Sequence, residues 1–179
     1  MFNNSIEILE RRTHMRTLIV YTSKYGFTEN VAKILGDHIE GDVAIHKCDK
    51  DYSVDLTKFE NVIVGSSLYV GKPNNAVLDF CEKYQRLLMS KRLGFFVTGT
   101  TGKEAVEALR LNFPEDMVKK SEAIGCFGYA LNFEKMRFFD RLVTRIVLKK
   151  DQSEVEIDSE AIEMFAQKFN KHNMRSDSK

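Results

Sequence analysis

Residues 22–28 read Thr-Ser-Lys-Tyr-Gly-Phe-Thr and sit between an apolar run, Leu18-Ile19-Val20, and the start of a helical pattern. The stretch offers hydroxyls at Thr22, Ser23 and Thr28, and Gly26 permits a tight turn and close backbone approach to a ligand. The N–H groups that open the next helix point back toward this loop, as does the positive end of its dipole. Hydroxyls, amides and dipole together bind a phosphate. The three spaced glycines of a dinucleotide fingerprint are missing, and so is the Gly-Lys-Ser/Thr ending of a triphosphatase loop.

Two more polar loops follow apolar runs. One spans Gly65–Asn75, with Ser66, Ser67, Leu68, Tyr69, Val70 and Gly71; Ser66 and Ser67 could cap the next helix. The other spans residues 97–103, with Thr98, Gly99, Thr100 and Thr101 offering amides and hydroxyls. No Ser-His-Asp, metal-ligand or paired-carboxylate constellation stands out. The four histidines, His14, His38, His46 and His172, are scattered and read as solvated. Cys48, Cys81 and Cys126 are far apart and form no CxxC pair, which reads as reduced, mostly buried thiols in a cytosolic protein and no metal site.

The elements that must position these loops alternate along the chain. Thr17–Tyr21 is a short β-branched apolar run, and Glu29–Ile39 carries apolar residues at helical spacing. Val43–Cys48 alternates like a strand, Leu56 and Phe59 suit a short helix, and Asn61–Gly65 is a fully apolar strand. Pro73 fits the first turn of one helix with apolar positions from Val77 to Leu88. Residues 93–99 form a fourth strand, Lys103–Phe113 a helix and 123–131 a fifth strand, with helices at about Lys135–Lys150 and Ser159–His172. Near-continuously apolar strands separated by helices imply a parallel sheet covered on both faces. Ligands of such folds bind at the C-terminal strand ends, where the three polar loops fall.

The chain has 179 residues, 43% hydrophobic, enough for one domain with a sizeable core. A net charge of +1 gives no reason to expect a nucleic-acid partner. No apolar run is long enough to cross a bilayer. The N-terminus, MFNNSIEILERRTHM, lacks the apolar centre of a signal peptide. Residues 1–15 read as an arm, 16–172 as the domain and 173–179 as a tail.

Residues 19–28 resemble the flavodoxin family. Its signature runs aliphatic, apolar, aromatic, any, Ser/Thr, any, any, small, any, Thr. Here the positions are Ile19, Val20, Tyr21, Thr22, Ser23, Lys24, Tyr25, Gly26, Phe27 and Thr28, a match at every specified place. The resemblance implies an α/β, flavodoxin-like three-layer doubly wound sandwich with a five-stranded parallel sheet in the order 2-1-3-4-5. It implies that residues 22–28 hold the 5′-phosphate of FMN. It places residues 65–75 beside the isoalloxazine ring, with Tyr69 stacking, Leu68 and Val70 at the ring edges, and Ser66 and Ser67 near the ribityl chain. Residues 98–101 would face the pyrimidine edge or the ribityl chain. No side chain is then catalytic in its own right, because the flavin carries the chemistry.

Two features depart from acidic electron carriers of the family. Lys24, Lys72 and Lys103 lie in or beside the three loops, and positive charge there stabilises an anionic reduced flavin. Residues 135–150 place Arg137, Arg141, Arg145 and Lys149 four apart beside an apolar face, a pattern that suits a membrane surface or an acidic partner. Both features resemble the menaquinone-dependent protoporphyrinogen IX dehydrogenase branch, as do VIVGSSLYVGK and the segment from Gly128 to Lys150. The resemblance runs from Met15 to about His172. It is looser over Gly99–Ile124, where that branch has a long basic insertion and this chain has Glu104, Glu107, Glu115 and Asp116. That departure bears on the substrate more than on the cofactor. The implied activity is transfer of electrons from a reduced substrate to a quinone or similar acceptor, in the cytoplasm or at the inner face of the membrane. The alternative is a flavodoxin-type electron carrier with no small-molecule substrate of its own.

The basic stripe has a direct test. The wild type is expected to float with anionic liposomes, and a variant with Arg137, Arg141 and Arg145 changed to Glu is expected to stay in solution. Equal behaviour would reduce the stripe to a solvated face.

Overall fold

The computed structural model describes residues 15–50, 52–100, 103–131 and 153–171. Helices and strands alternate as β1 (Arg16–Thr22), α1 (Phe27–His38), β2 (Asp42–Lys47), β3 (Asn61–Ser67), α2 (Asn75–Lys83), α3 (Gln85–Leu88), β4 (Arg92–Thr98), α4 (Lys103–Asn112), α5 (Glu115–Lys120) and β5 (Ala123–Cys126). The chain continues with β6 (Gly128–Leu131), β7 (Glu154–Ile157) and α6 (Ser159–Lys171). A parallel sheet runs in the order β2-β1-β3-β4-β5, the order that the family resemblance implies.

Side-chain alternation explains the three layers. In β1, Leu18 and Val20 face a core shared with α2, α4 and α5, while Ile19 and Tyr21 face a second core shared with α1 and α6. Val62 and Val64 join the first core and Ile63 the second; Phe95 and Phe96 divide the same way. Each central strand is buried on both faces, so its sequence reads as an unbroken apolar run.

Packing across the second face depends on a missing side chain. Gly65 pairs with Phe96 across β3 and β4, and a Cβ at Gly65 would lie 2.1 Å from the Phe96 ring. Phe96 in turn stacks on Phe127 at 5.1 Å, and Phe127 meets Phe165 of α6 edge-on at 5.4 Å. At the opposite end of the sheet the Arg92 guanidinium donates to the Phe169 carbonyl and lies 4.9 Å from the Phe169 ring centre. A cation there complements the C-terminal end of α6.

Several elements differ from the sequence expectation. Residues 123–131 are two strands: β5 completes the parallel sheet, and β6 leaves it to pair antiparallel with β7. Gly128 makes that departure possible with φ 91°, in a place where a Cβ would lie 2.0 Å from the Glu156 carbonyl oxygen. Pro73 lies outside the helix it was expected to open; Asn74 is the cap, accepting from the Ala76 N–H at 2.9 Å. The single helix expected from Val77 to Leu88 breaks at Tyr84. The short helix expected at Leu56 and Phe59 is a 3₁₀ turn, Leu56–Lys58. The helix expected at 135–150, the arm up to residue 14 and the tail 173–179 lie outside the described residues. Among the described residues no helix is long and apolar enough to cross a membrane.

Gly65→Ala is expected to destabilise the domain by about 2–3 kcal/mol, because the new methyl overpacks a closed core. Adding Phe96→Leu should recover part of that loss. Urea unfolding of both variants checks the pair.

Candidate functional site

The C-terminal ends of β1, β3 and β4 lie side by side, and their loops converge on one edge of the sheet. The strand-end hydroxyls are buried and engage one another. Thr22 Oγ1 lies 2.9 Å from Ser66 Oγ. Ser66 donates its single proton to the Ser67 carbonyl and accepts from the Asn74 N–H, each at 3.1 Å, so Thr22 is the donor to Ser66. Thr28 Oγ1 meets Thr98 Oγ1 at 2.8 Å, joining the first turn of α1 to the end of β4.

With Thr22 and Thr28 turned inward, the face of the first loop is left to Ser23, Lys24, Tyr25 and the backbone. Ser23 Oγ accepts from the Gly26 N–H at 3.1 Å and holds the loop's curl. Gly26 caps α1 with φ 91°, no side chain among the described residues caps that end, and the space a Cβ would enter is open among them. The first-turn N–H groups are therefore presented at an uncovered helix end. Phe27 packs back against the core beneath. Behind the loop, burial pushes the Tyr21 phenol up, and the neighbouring Glu29 carboxylate adds to the shift. The hydrogen bond and charge of Lys33 hold Glu29 itself below the usual carboxylate range.

The second loop is stitched to the third. Leu68 N–H donates to the Thr98 carbonyl at 2.7 Å, and Gly99, at φ 96°, lets its backbone pass where a Cβ would lie 2.7 Å from the Leu68 carbonyl oxygen. Tyr69 and Lys72 exchange both backbone hydrogen bonds around Val70 and Gly71. The turn leaves Tyr69 43% and Val70 61% exposed, while Leu68 is buried beneath them. Lys24 bridges the loops, its ammonium 4.5 Å from the Tyr69 ring centre and 5.4 Å from that of Tyr25. Ser67 and Thr100 are half-buried at the margin, and Thr101 lies outside the described residues.

The chain matches the flavodoxin domain family model over residues 18–158. It belongs to the flavodoxin domain family. This flavodoxin domain is 21% identical over 158 residues to a protoporphyrinogen IX dehydrogenase [quinone] of Leishmania major, a match covering 82% of this chain and 68% of that one. Its fold is similar to a short-chain flavodoxin associated with a bacterial microcompartment (TM-score 0.54, 20% identity, 89% of this chain and 99% of that one). It is also similar to part of rubredoxin oxygen:oxidoreductase from Desulfovibrio gigas (TM-score 0.53, 17% identity, 96% of this chain and 39% of that one).

The structure adds residues that the sequence reading passed over. Asn74 ties the exit of the second loop to Ser66, and Asn112 Nδ2 reaches the Gly71 carbonyl at 3.4 Å from the end of α4. The Gly128 carbonyl accepts from Gly99 N–H at 2.9 Å, and the Cys126 thiol donates to the Thr100 carbonyl at 3.0 Å. Burial pushes the Cys126 thiol up, as it does Cys48, which reaches about 11. Only Asn74 left a local trace, as the asparagine after Pro73 that precedes an apolar helical pattern.

Removing one hydroxyl of the Thr28–Thr98 pair strands the other, so Thr28→Val and Thr98→Val are each expected to cost about 1–2 kcal/mol. The double variant should cost clearly less than their sum, a coupling that chemical denaturation of all four proteins measures.

Proposed function

We propose that this flavodoxin domain binds one FMN at the converging loops and uses it to pass electrons from a reduced organic substrate to a quinone or similar acceptor. The observation that carries the reading is the pairing of an uncovered, glycine-capped helix end with an exposed tyrosine ring on the neighbouring loop.

The residues present fit FMN. Its phosphate calls for several N–H and O–H donors in a concave space. The open face at Gly26, the first-turn amides of α1 and the Ser23 hydroxyl supply donors of that kind. Its ring calls for a flat apolar partner, and Tyr69 offers one beside Leu68 and Val70. The hydroxyls of Thr22, Ser66, Thr28 and Thr98 serve differently, holding the loops at fixed separation before any ligand arrives.

FMN, when bound, supplies the electron-transfer chemistry of its ring. The protein binds, orients and tunes it. Tyr69 and the backbone bonded from Leu68 to Thr98 fix the plane available to a ring. Lys24 brings positive charge to the same place, which favours the extra negative charge of the reduced form. Likeness to the Leishmania major enzyme supports protoporphyrinogen IX as substrate and a quinone as acceptor. The basic stripe at 135–150 supports contact with an anionic membrane surface or an acidic partner.

Protein loaded with FMN is expected to oxidise protoporphyrinogen IX at least about tenfold faster with menaquinone than without it, followed by porphyrin fluorescence in the absence of oxygen. A loaded protein that exchanges single electrons with a flavodoxin reductase and leaves the porphyrinogen untouched would instead be a carrier.

A further inference from the structure

Where α4, α5 and β5 meet, at one margin of the parallel sheet, lies a cavity of about 520 Å³. It is lined by Arg110, Glu115, Val118, Lys119, Ser121 and Ile124, and shares no residue with the three loops at the strand ends. A volume of this size falls in the range of small-molecule sites, about 300–1,000 Å³. The local architecture explains the gap. Strand β5 is four residues long and stands last in the sheet, and α5 has six residues, so α4 and α5 meet over a short margin. Helix α5 is pinned there: Met117 and Val118 are buried in the first core, and Lys120 donates to the Met89 and Lys91 carbonyls.

The lining combines two chemistries. Val118 belongs to the first core and Ile124 packs against it, which makes a fixed apolar floor. Arg110 and Lys119 are exposed at the rim. Of Glu104, Glu107, Glu115 and Asp116, Glu115 lines the cavity, and its carboxylate lies 2.5 Å from Lys119 Nζ. That ion pair cancels one charge of each sign, so the net charge of the lining is the Arg110 guanidinium. Ser121 donates its proton to the Val118 carbonyl at 2.6 Å and offers an anion no second one. Recognition of an anion therefore falls to Arg110, whose planar fork matches both oxygens of a carboxylate.

We propose that this cavity is a second ligand site, for a small organic acid that lays an apolar body on Val118 and Ile124 and its carboxylate on Arg110. An exposed ion pair alone is weak, and an apolar floor alone orients nothing; together they select a carboxylate with an apolar body. The site is independent of the flavin reading.

Methyl- and amide-resolved NMR of the full chain titrated with 4-phenylbutyrate tests it, with and without excess FMN. Saturable shifts are expected at Val118, Ser121 and Ile124 in both titrations, with a Kd of about 1 mM or below. The uncharged 4-phenylbutan-1-ol should bind about tenfold more weakly, and Arg110→Gln should weaken the acid by about the same factor while leaving the alcohol unchanged. Thermal unfolding should show Arg110→Gln folded as stably as wild type, since Arg110 is exposed. Absence of saturable shifts at these three residues, or shifts that vanish when FMN is added, would overturn the site. Equal binding of acid and alcohol, or of acid to wild type and Arg110→Gln, would overturn the role of the carboxylate.

Discussion

Three parallel strands, β1, β3 and β4, end side by side, and each carries a buried hydroxyl at or next to its last residue: Thr22, Ser66 and Thr98. Polar groups cannot be left unpaired there without a cost of about 1–3 kcal/mol each. The chain resolves this by pairing them across strands, Thr22 with Ser66 and Thr98 with Thr28 at the start of α1. Everything on the working edge hangs from those pairs. They set where the first loop begins, where α1 opens, and how far the second loop stands from the third.

That constraint divides labour within the site. Residues with buried hydroxyls maintain spacing, and residues outside them are left for a ligand. Ser23 and Gly26 shape a curl of backbone amides, while Lys24, Tyr69 and Val70 form the rim above it. Phosphate recognition by amides needs no cation, so Lys24 is available to act on the ring through Tyr69. The second and third loops are bonded to each other as well, through the Leu68 N–H and the Thr98 carbonyl, which leaves the rim little freedom to collapse.

Much of the fold was legible in the sequence because the central strands are buried on both faces and show it as continuous apolar runs. The same property hid the break between β5 and β6. Phe127 is fully buried between them, so hydrophobicity continues where the sheet does not, and the turn rests on Gly128 against a strand 26 residues later. Strand β7 alternates Glu-Val-Glu-Ile but is only four residues long, too short to stand out. The three site loops were legible from their places after strands. The inward turn of Thr22 and Thr28 was not, because a threonine at a strand end looks the same whether it faces a ligand or a neighbouring strand. Val70 was legible as a ring-edge residue through the family resemblance, but its left-handed backbone was not, since that exists only once Tyr69 and Lys72 pair.

The central claim is that backbone amides at the start of α1, together with the Tyr69 turn, receive FMN. Amide-resolved NMR of the isotopically labelled protein titrated with FMN tests it directly. The account predicts saturation at one FMN per chain, with the largest shifts at the amides of residues 24–28 and 68–72 and small ones at the opposite end of the sheet around Asn61 and Arg92. Saturable binding whose largest shifts fall away from both loops, or no shifts at all, would contradict it.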